Sequence, residues 1–471
     1  MNALLTISSF IFPLITFPYV SRILLPEGTG KVSFATSVVT YFSMFAQLGI
    51  PTYGIRACAK VRDDKEALSR TVHELLAINL FMSVLAYFIF GVCLVSIPRF
   101  RAEKTLFIII SLTILFNAIG VEWLYKGLEQ YTYITVRSLI FKAIAVLAML
   151  GLVHKKSDYV IYGALTIFAA SASNILNLFN AHKYIKVQPV GHYNFRQHLK
   201  PILVFFAMSC ATAIYTNLDT VMLGFMKSDV DVGYYNAAVK IKSVLLGVVT
   251  SLGAVLLPRA SYYIEHGLKD RFQVISKKAI EFVFLIAVPF TVYFILFARE
   301  SVLFLSGAAY EGAVVPMQII MTTLFWIGLT NIMGIQMLVP LGREKVVLYS
   351  EIAGALVDLV INMALIPRMA SAGAAIGTLV AEIIVWIVQY IALRVEVEEA
   401  YRTVQYKSIA IAVILGTVTS MWVKYMNWNE FRTLVLSGIL FLGTYFVVLL
   451  LLKEPLVCEI KNQMIEKLVK K

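Results

Sequence analysis

Apolar stretches of about 20 residues alternate with short polar segments along almost the whole chain. A helix rises about 1.5 Å per residue, so such a stretch can cross the roughly 30 Å hydrocarbon core of a bilayer. The pattern therefore predicts an all-α polytopic membrane protein with about fourteen spanning helices. Their expected bounds are residues 3–25, 33–55, 72–97, 105–125, 135–153, 159–181, 202–226, 232–257, 279–298, 313–339, 346–366, 372–393, 408–423 and 433–452.

The longest polar interruption divides the first twelve predicted helices into two sets of six. It lies within AHKYIKVQPVGHYNFRQHLK, and we expect residues 183–200 to form a cytoplasmic linker. The predicted organisation is an N-terminal lobe over residues 1–182 and a C-terminal lobe over residues 201–395. Residues 396–471 then hold helices 13 and 14 and a basic cytoplasmic tail.

Two short sequence matches indicate that the lobes are repeats. GKVSFA at Gly30–Ala35 and GYYNAA at Gly233–Ala238 open helices 2 and 8, at an offset of 203 residues. YGALTIFAAS and AGAAIGTLVAE, in helices 6 and 12, align Gly163 with Gly373 at an offset of 210 residues. Because each repeat has an even number of helices, the two lobes are expected to be parallel and pseudo-symmetric. This arrangement is typical of transporters whose halves rock about a central site.

Composition excludes several classes of protein. Hydrophobic residues make up 59% of the chain, charged residues make up only 15%, and the mean hydropathy is +0.80. A soluble catalytic domain of this length would carry about 25% charged residues. The four cysteines are scattered without pairing or ligand spacing, so neither a disulfide framework, a metal site nor another cofactor is predicted.

The formal charge of +13 is explained by membrane orientation better than by a nucleic-acid partner. With helix-end residues counted in the adjoining loops, 26 Lys and Arg lie in one alternating set of loops and 12 in the other. Cytoplasmic loops collect these residues, so both termini are expected in the cytoplasm. No cleavable signal is predicted, because the first apolar segment runs to Leu25 without a basic leader.

Several ordered motifs resemble a known family. The opening LITFPYVSRILLPEGTGKVSFATSVVTYFSMFAQLGIPTYGIRACAKVRDDKEALS is similar to that of the Wzx-type oligosaccharide flippases. NLDTVMLG, VGYYNAAVKI and INMALIPRMASAGAAIGTLVAE match in helices 7, 8 and 11–12. The resemblance extends through helix 12, whereas helices 13 and 14 match only in hydropathy. Relatives usually begin with a short basic cytoplasmic leader, which this sequence does not show. This departure from the family pattern concerns the predicted first turn of helix 1 and leaves the predicted class unchanged.

The resemblance implies a flippase of the multidrug/oligosaccharidyl-lipid/polysaccharide transporter superfamily, without enzymatic activity. Its substrate would be an undecaprenyl-diphosphate-linked oligosaccharide, moved by alternating access from the inner to the outer leaflet of a bacterial or archaeal cytoplasmic membrane. O-antigen or capsule export would be the purpose. Since no Walker-type phosphate loop is present, the energy would come from an ion gradient such as H+ or Na+, from the membrane potential or from removal of product outside. The lipid bilayer, a polysaccharide polymerase and chain-length machinery are the implied partners.

Two lysines inside predicted helix 8 are the leading substrate candidates. Each charge near the bilayer centre costs roughly 2.5–3.5 kcal/mol, so such residues face a cavity or a partner. Lys240 and Lys242 point about 200° apart on a helix, so Lys242 either lines the cavity from another angle or contacts a neighbouring helix. Lys240 and Asp219 both lie roughly 10–12 Å below the outer face. Lys240 therefore either binds substrate diphosphate in a cationic cavity, with Asp219 as an exchangeable partner, or forms a static ion pair with Asp219.

Two arginines at helix ends complete the diphosphate candidates. Arg22 ends helix 1 near the outer face, and Arg56 ends helix 2 near the inner face. In the resembled family, cationic residues of the first two helices of each half are associated with substrate. The alternative is that both arginines extend along the bilayer to its polar surface.

Three acidic residues inside spans are candidates for ion coupling. Glu351 and Asp358 share a face of helix 11, and Glu382 lies near the middle of helix 12. Buried carboxylates can titrate and couple transport to protons or sodium. They can equally be neutral or paired structural groups.

Two other functions compete with the flippase. A multidrug or cation antiporter of the same superfamily fold would favour carboxylates, whereas the substrate candidates here are Lys and Arg. A membrane glycosyltransferase would need a large catalytic loop, and the longest loops here have about 20 residues and are basic. The sequence leaves the sugar composition, the coupling ion and the oligomeric state open.

Overall fold

The computed structural model describes residues 2–426 and 428–469, and all regular secondary structure in these ranges is helical. Most of each predicted span falls on helical backbone, but the spans 33–55 and 105–125 are interrupted, at Gly49 and at Val121. Ten helical segments in these ranges are long and apolar enough to cross a membrane by length and composition. The protein is therefore a multi-pass membrane protein, and the count of fourteen spans stays a prediction.

The chain forms two compact units, the first ending at Asn236 and the second beginning at Ala237. The first unit contains ten helices and the start of an eleventh. These are α1 (Asn2–Gln47), α2 (Ile50–Lys60), α3 (Lys65–Ser96), α4 (Pro98–Ala102), α5 (Lys104–Ile119), α6 (Glu122–Gly127), α7 (Tyr131–Leu152), α8 (Tyr159–Ile167), α9 (Asn174–Asn180), α10 (Arg196–Met226) and α11 (Asp229–Val249).

The second unit begins within α11 and adds ten helices, with a π-helical segment at Ile332–Leu338. The ten are α12 (Ser251–Glu265), α13 (Lys269–Leu296), α14 (Ala298–Ser306), α15 (Val314–Met321), α16 (Thr323–Asn331), α17 (Glu344–Ala392), α18 (Arg394–Thr403), α19 (Tyr406–Met421), α20 (Glu430–Leu451) and α21 (Pro455–Val469).

Two long helices each contain one sharp break where the sequence predicts a boundary between spans. In α1 the break is at Leu25, where φ is 60°, and in α17 it is at Ala370, where φ is 47°. Pro26 explains the first break, because a proline disfavours helical backbone at the preceding residue. Helix resumes directly after Leu25, so the loop expected over residues 26–32 is replaced by this single break.

Apolar side chains on α3 are turned away from the protein core. Phe81, Val84 and Phe88 expose about 70% of their surface, whereas Val72 and Leu75 on the same helix are fully buried. A water-soluble monomer rarely exposes a contiguous apolar surface of this kind. This face of α3 is therefore suited to contact lipid acyl chains.

Candidate functional site

A cavity of about 530 Å³ lies in the first unit between α1, α2, α5 and α10. Most of its lining side chains are neutral hydrogen-bonding groups, and none of the lining residues is charged. Phe205, Met208 and Met44 add apolar surface. The hydroxyl and amide residues are Thr40, Ser43, Gln47, Thr52, Thr113, Asn117, Ser209, Thr212, Thr216 and Asn217.

A break between α1 and α2 shapes the wall of this cavity. Gly49 has φ 73° and lies so close to the backbone of Phe205 and Phe206 that a Cβ atom at this position would clash with α10. Pro51 follows within the first turn of α2. Glycine is needed here both for the left-handed backbone and for the close approach. The apolar pattern predicts one helix over residues 33–55 and gives no sign of this break.

A chain of polar side chains leads away from the cavity wall. Asn117 donates to the Ser43 hydroxyl at 3.5 Å, and the Asn174 amide donates to the Asn117 side-chain oxygen at 3.3 Å. Arg137 donates to the Asn174 oxygen at 3.3 Å, and its guanidinium lies 3.5 Å from the Glu122 carboxylate. Because Arg137 is buried, these partners offset the cost of removing its charge from water.

A second polar cluster joins α2, α3 and α10. The fully buried carboxylate of Glu74 lies 2.6 Å from His198 Nε2 and accepts a hydrogen bond of 3.1 Å from the Gln197 amide. The backbone N–H of Asn194 also donates to Glu74. Tyr53 bonds the other ring nitrogen of His198 at 2.8 Å. The cluster therefore ties the start of α10 to the rest of the first unit.

At the Leu25 end of the first unit, α1 and α11 meet with backbone against backbone. A Cβ atom on Gly30 would overlap the carbonyl group of Asp229, and a Cβ atom on Gly233 would overlap the carbonyl group of Pro26. The offset of 203 residues relates Pro26 to Asp229 and Gly30 to Gly233. The two segments therefore make the same contact reciprocally, and we call this pair of approaches the glycine contact.

Ion pairs surround the glycine contact. Arg99 on α4 pairs with Asp229, next to the Gly30 backbone. Lys31 lies 3.0 Å from Glu103, and the Tyr159 hydroxyl donates to the same carboxylate at 2.7 Å. These partly buried groups connect four separate helices at this end, in addition to the backbone packing.

The predicted site residues of the first unit lie on α1, α2 and α10, three of the helices that form the polar cavity. Arg22 is exposed and donates to the backbone carbonyl of Pro18. Arg56 is exposed on α2. Asp219 is buried and accepts a hydrogen bond from the Tyr235 hydroxyl. None of these three predicted residues is among the lining residues of the cavity.

The remaining predicted residues belong to the second unit. Lys240 and Lys242 lie on the uninterrupted helix α11 and are both half-buried. Glu351 is half-buried on α17, whereas Asp358 and Glu382 on the same helix are buried, at 2% and 3% exposure. Their assigned roles in substrate binding and ion coupling stay predictions.

The pattern of residues along the chain does not predict the neutral polar cavity, the buried Arg137 or the Glu74–His198 pair. A signal exists for Glu74, which is a carboxylate followed at once by a long apolar run on α3. No feature of the sequence shows that His198 lies beside a carboxylate 124 residues away.

Comparison with solved structures defines the class of fold. The structure is similar to lipid II flippase MurJ in its inward closed conformation, with a TM-score of 0.73, 16% identity, and coverage of 95% of this chain and 97% of that chain. The structure is also similar to a multidrug resistance MATE family transporter of the MOP superfamily in an inward-facing conformation. The TM-score is 0.63 at 16% identity, and the match covers 83% of this chain and 95% of that chain. The fold is therefore the one shared by these membrane transporters.

Sequence relatives identify the family. A "Putative O-antigen transporter" of Escherichia coli (strain K12) is 25% identical over 80% of this chain and 91% of its own length. A protein of the same name from Shigella dysenteriae is 24% identical over 80% of this chain and 94% of its own. Residues 1–264, more than half of the chain, match the sequence profile of a family described as polysaccharide biosynthesis protein. The chain belongs to this family, and the predicted membership of the Wzx-type flippases is confirmed.

Proposed function

We propose that the protein is a flippase that moves an undecaprenyl-diphosphate-linked oligosaccharide from the inner to the outer leaflet of the cytoplasmic membrane. The protein would work by alternating access, with fourteen spanning helices in two pseudo-symmetric lobes and both termini in the cytoplasm. Its product would supply a polysaccharide such as an O-antigen or a capsule. The related O-antigen transporters and the MurJ-like fold support this class of substrate.

The neutral polar cavity of the first unit is the observation that carries the proposal. Sugar hydroxyls lose their hydrogen bonds to water when they enter a membrane protein, and each unreplaced bond is costly. Ten hydroxyl and amide side chains around about 530 Å³ can replace these bonds. The volume is within the range of roughly 300–1,000 Å³ that small-molecule sites occupy.

The same cavity argues against the antiporter alternative. An organic cation that leaves water needs a carboxylate or an aromatic cage to offset its desolvation. The lining residues include no carboxylate and a single aromatic ring, that of Phe205. The cavity is therefore better matched to an uncharged polyhydroxyl group than to a cationic drug.

In our proposal, the diphosphate is bound by cations outside this neutral cavity. Lys240 is the principal ligand, Lys242 contributes from another side of α11, and Arg22 and Arg56 bind near the outer and inner faces. Hydrogen bonds between charged groups are about twice as strong as neutral ones, and guanidinium matches phosphate geometry. Asp219 is then the exchangeable partner of Lys240 when no substrate is bound.

We further propose that an ion gradient drives the cycle, with protons or sodium as the coupling ion. Asp358 and Glu382 are buried carboxylates within α17, and Glu351 lies seven residues before Asp358 on the same helix. A polysaccharide polymerase and its chain-length machinery would consume the product on the outer face.

The reciprocal glycine contact supports the pseudo-symmetric organisation. Contacts in which residue i meets residue j and the equivalent of j meets the equivalent of i are produced by a two-fold axis. The equivalent residues here are those that the sequence repeat aligns, at the same offset of 203 residues. In the proposed orientation, this contact closes the outer end of the transport path.

Substitution of Lys240 tests the proposed function. Lys240→Ala should slow glycan transport at least ten-fold, because a hydrogen bond to a charged group contributes about 1.5–3 kcal/mol. The measurement uses proteoliposomes that contain a fluorescent undecaprenyl-diphosphate glycan, with an impermeant glycosidase to detect sugar on the opposite face. Lys142→Ala, at another half-buried lysine within a helix, is the matched control and should transport normally.

Two outcomes of this assay would count against the proposal. Equal rates in the wild type and in Lys240→Ala would make Lys240 a structural residue. Proton-driven efflux of organic cations, together with no glycan transport by the wild type, would instead identify a cation antiporter.

A substitution in the polar cavity separates the sugar site from the diphosphate site. Asn217→Leu should raise the KM for the glycan roughly ten-fold, because one hydrogen-bonding group of the cavity is lost. Inhibition by undecaprenyl diphosphate without sugar should be unchanged in Asn217→Leu and weakened in Lys240→Ala. An unchanged KM in Asn217→Leu would remove Asn217 from the sugar site.

A further inference from the structure

A larger cavity, of about 780 Å³, lies in the second unit where α13, the junction between α18 and α19, and the start of α21 meet. One part of its wall is apolar, with Val274, Val404 and Leu456 among the lining residues. The other part is charged and has more basic than acidic residues, the acidic ones being Glu281 and Glu459. The four basic residues are Lys277, Lys278, Arg402 and Lys407.

Two of these four cations already have carboxylate partners. Lys278 donates to both oxygens of Glu459, at 2.7 and 2.8 Å, and Arg402 lies 2.6 Å from Glu398. Glu281, a second carboxylate in the cavity wall, interacts electrostatically with Lys277 and Lys278, and in the described part of the chain it is not within ion-pair distance of either lysine. Four basic residues line the cavity against two carboxylates, so the wall keeps a net positive charge that favours an anion.

The position of the cavity identifies the kind of anion. Three helices that are long and apolar enough to cross a membrane have one of their two ends near this cavity. They are α13, which begins at Lys269, α19, which begins at Tyr406, and α20, which ends at Leu451 just before α21. Helix ends of this kind lie at the level of the lipid headgroups. A soluble anion would use the lysines and leave the apolar wall in water.

We propose that this cavity binds the phosphate of an anionic phospholipid. The lysines of α13 and α19 contact the phosphate, and the apolar wall packs against the glycerol and the first acyl carbons. The bound lipid joins α13, α19 and the start of α21 and thereby fixes the last helices of the chain. This inference does not depend on the proposed transport function, because it concerns a resident lipid and different residues.

The test compares lipid retention by the full-length protein and a double variant. Native mass spectrometry counts phosphatidylglycerol and phosphatidylcholine of identical acyl chains that stay bound after detergent extraction. The wild type should retain phosphatidylglycerol preferentially. Lys277→Gln/Lys407→Gln should weaken this retention roughly thirty-fold, because each lysine near an anionic lipid contributes about 1 kcal/mol and 1.4 kcal/mol corresponds to a factor of ten.

Two further variants make the result specific. Lys200→Gln/Lys269→Gln removes two exposed lysines that do not line the cavity and should retain the lipid as the wild type does. Lys277→Arg/Lys407→Arg keeps both charges and should restore most of the retention. Elution volume and circular dichroism verify that every variant is folded.

The opposite results would overturn the assignment. Equal retention of phosphatidylglycerol by the wild type and by Lys277→Gln/Lys407→Gln would show that the lysines do not bind lipid. If inorganic phosphate raised the thermal midpoint as much as phosphatidylglycerol did, and lipid preference were absent, the site would be one for a soluble phosphate and the lipid proposal would fail.

Discussion

Gly30→Leu is expected to abolish closure of the outer end and to reduce transport at least ten-fold. A Cβ atom at Gly30 would overlap the backbone carbonyl of Asp229, and backbone, unlike a side-chain tip, cannot rotate away. The two segments would have to move apart along their length, because packed helices are not compressible. Gly233→Leu should have the same effect, since its Cβ atom would overlap the Pro26 carbonyl.

A cysteine reporter distinguishes failure to close from failure to fold. Thr29 is only 4% exposed beside the glycine contact, so Thr29→Cys should react slowly with an impermeant maleimide when Gly30 is intact. The reaction should accelerate in Thr29→Cys/Gly30→Leu, measured in a chain whose native cysteines are replaced. Wild-type transport by Gly30→Leu would show that the glycine contact is not required.

Gly91→Leu is the matched control for this experiment. A Cβ atom at Gly91 has no other atom within 4 Å, and the residue lies within α3 like the apolar residues around it. The added side chain therefore extends into free space, and transport should be unchanged. A comparable loss in Gly91→Leu would mean that any large residue replacing a helical glycine is harmful.

Glu74→Ala is expected to destabilise the protein by about 3–5 kcal/mol, the usual cost of removing one member of a buried pair. The change would leave His198, the Gln197 amide and the Asn194 backbone N–H without their shared acceptor. Because these three residues lie at or just before the start of α10, that end should unfold first. The measurement is the thermal unfolding midpoint of the purified protein in detergent.

Two variants calibrate this effect. Glu74→Gln keeps an oxygen for Asn194 and can donate its amide to His198 Nε2, so it should lose less than half as much stability as Glu74→Ala. Glu66→Ala removes a carboxylate that is 55% exposed and lies 3.9 Å from Arg70 and 3.8 Å from Lys186. Such surface ion pairs contribute about 0–1 kcal/mol to the free energy of unfolding. Equal midpoints for Glu74→Ala and Glu66→Ala would show that the buried cluster contributes little.

Several parts of this protein could be read directly from the order of its residues. The alternation of apolar and polar segments predicted helical backbone over most of every span, with boundaries between spans near Leu25 and Ala370. These features depend on hydropathy over about 20 residues and on proline geometry, both of which are local. The ordered motifs also sufficed to predict the family.

The site could be predicted less well. A charged residue within an apolar segment is unusual and marks a candidate site, whereas a neutral polar residue there is common and does not. Lys240, Lys242, Arg22 and Arg56 stood out inside or beside apolar segments. Thr and Ser are common in membrane helices, where their hydroxyls can bond the backbone of their own turn, as Thr216 does. Only the positions of α1, α2, α5 and α10 show that seven Thr and Ser residues and three amides surround one cavity.

The sequence by itself determined the class and most of the helical segments. The tertiary structure decided which surfaces meet. It placed Gly30 against Asp229, Glu74 against His198, and Ser43 near Asn117. Hydropathy shows only that a side chain is more stable outside water. Lipid tails are as apolar as the protein interior, so hydropathy does not tell which of the two the side chain contacts. The partner of each helix face is therefore set by close packing and hydrogen bonds between distant segments.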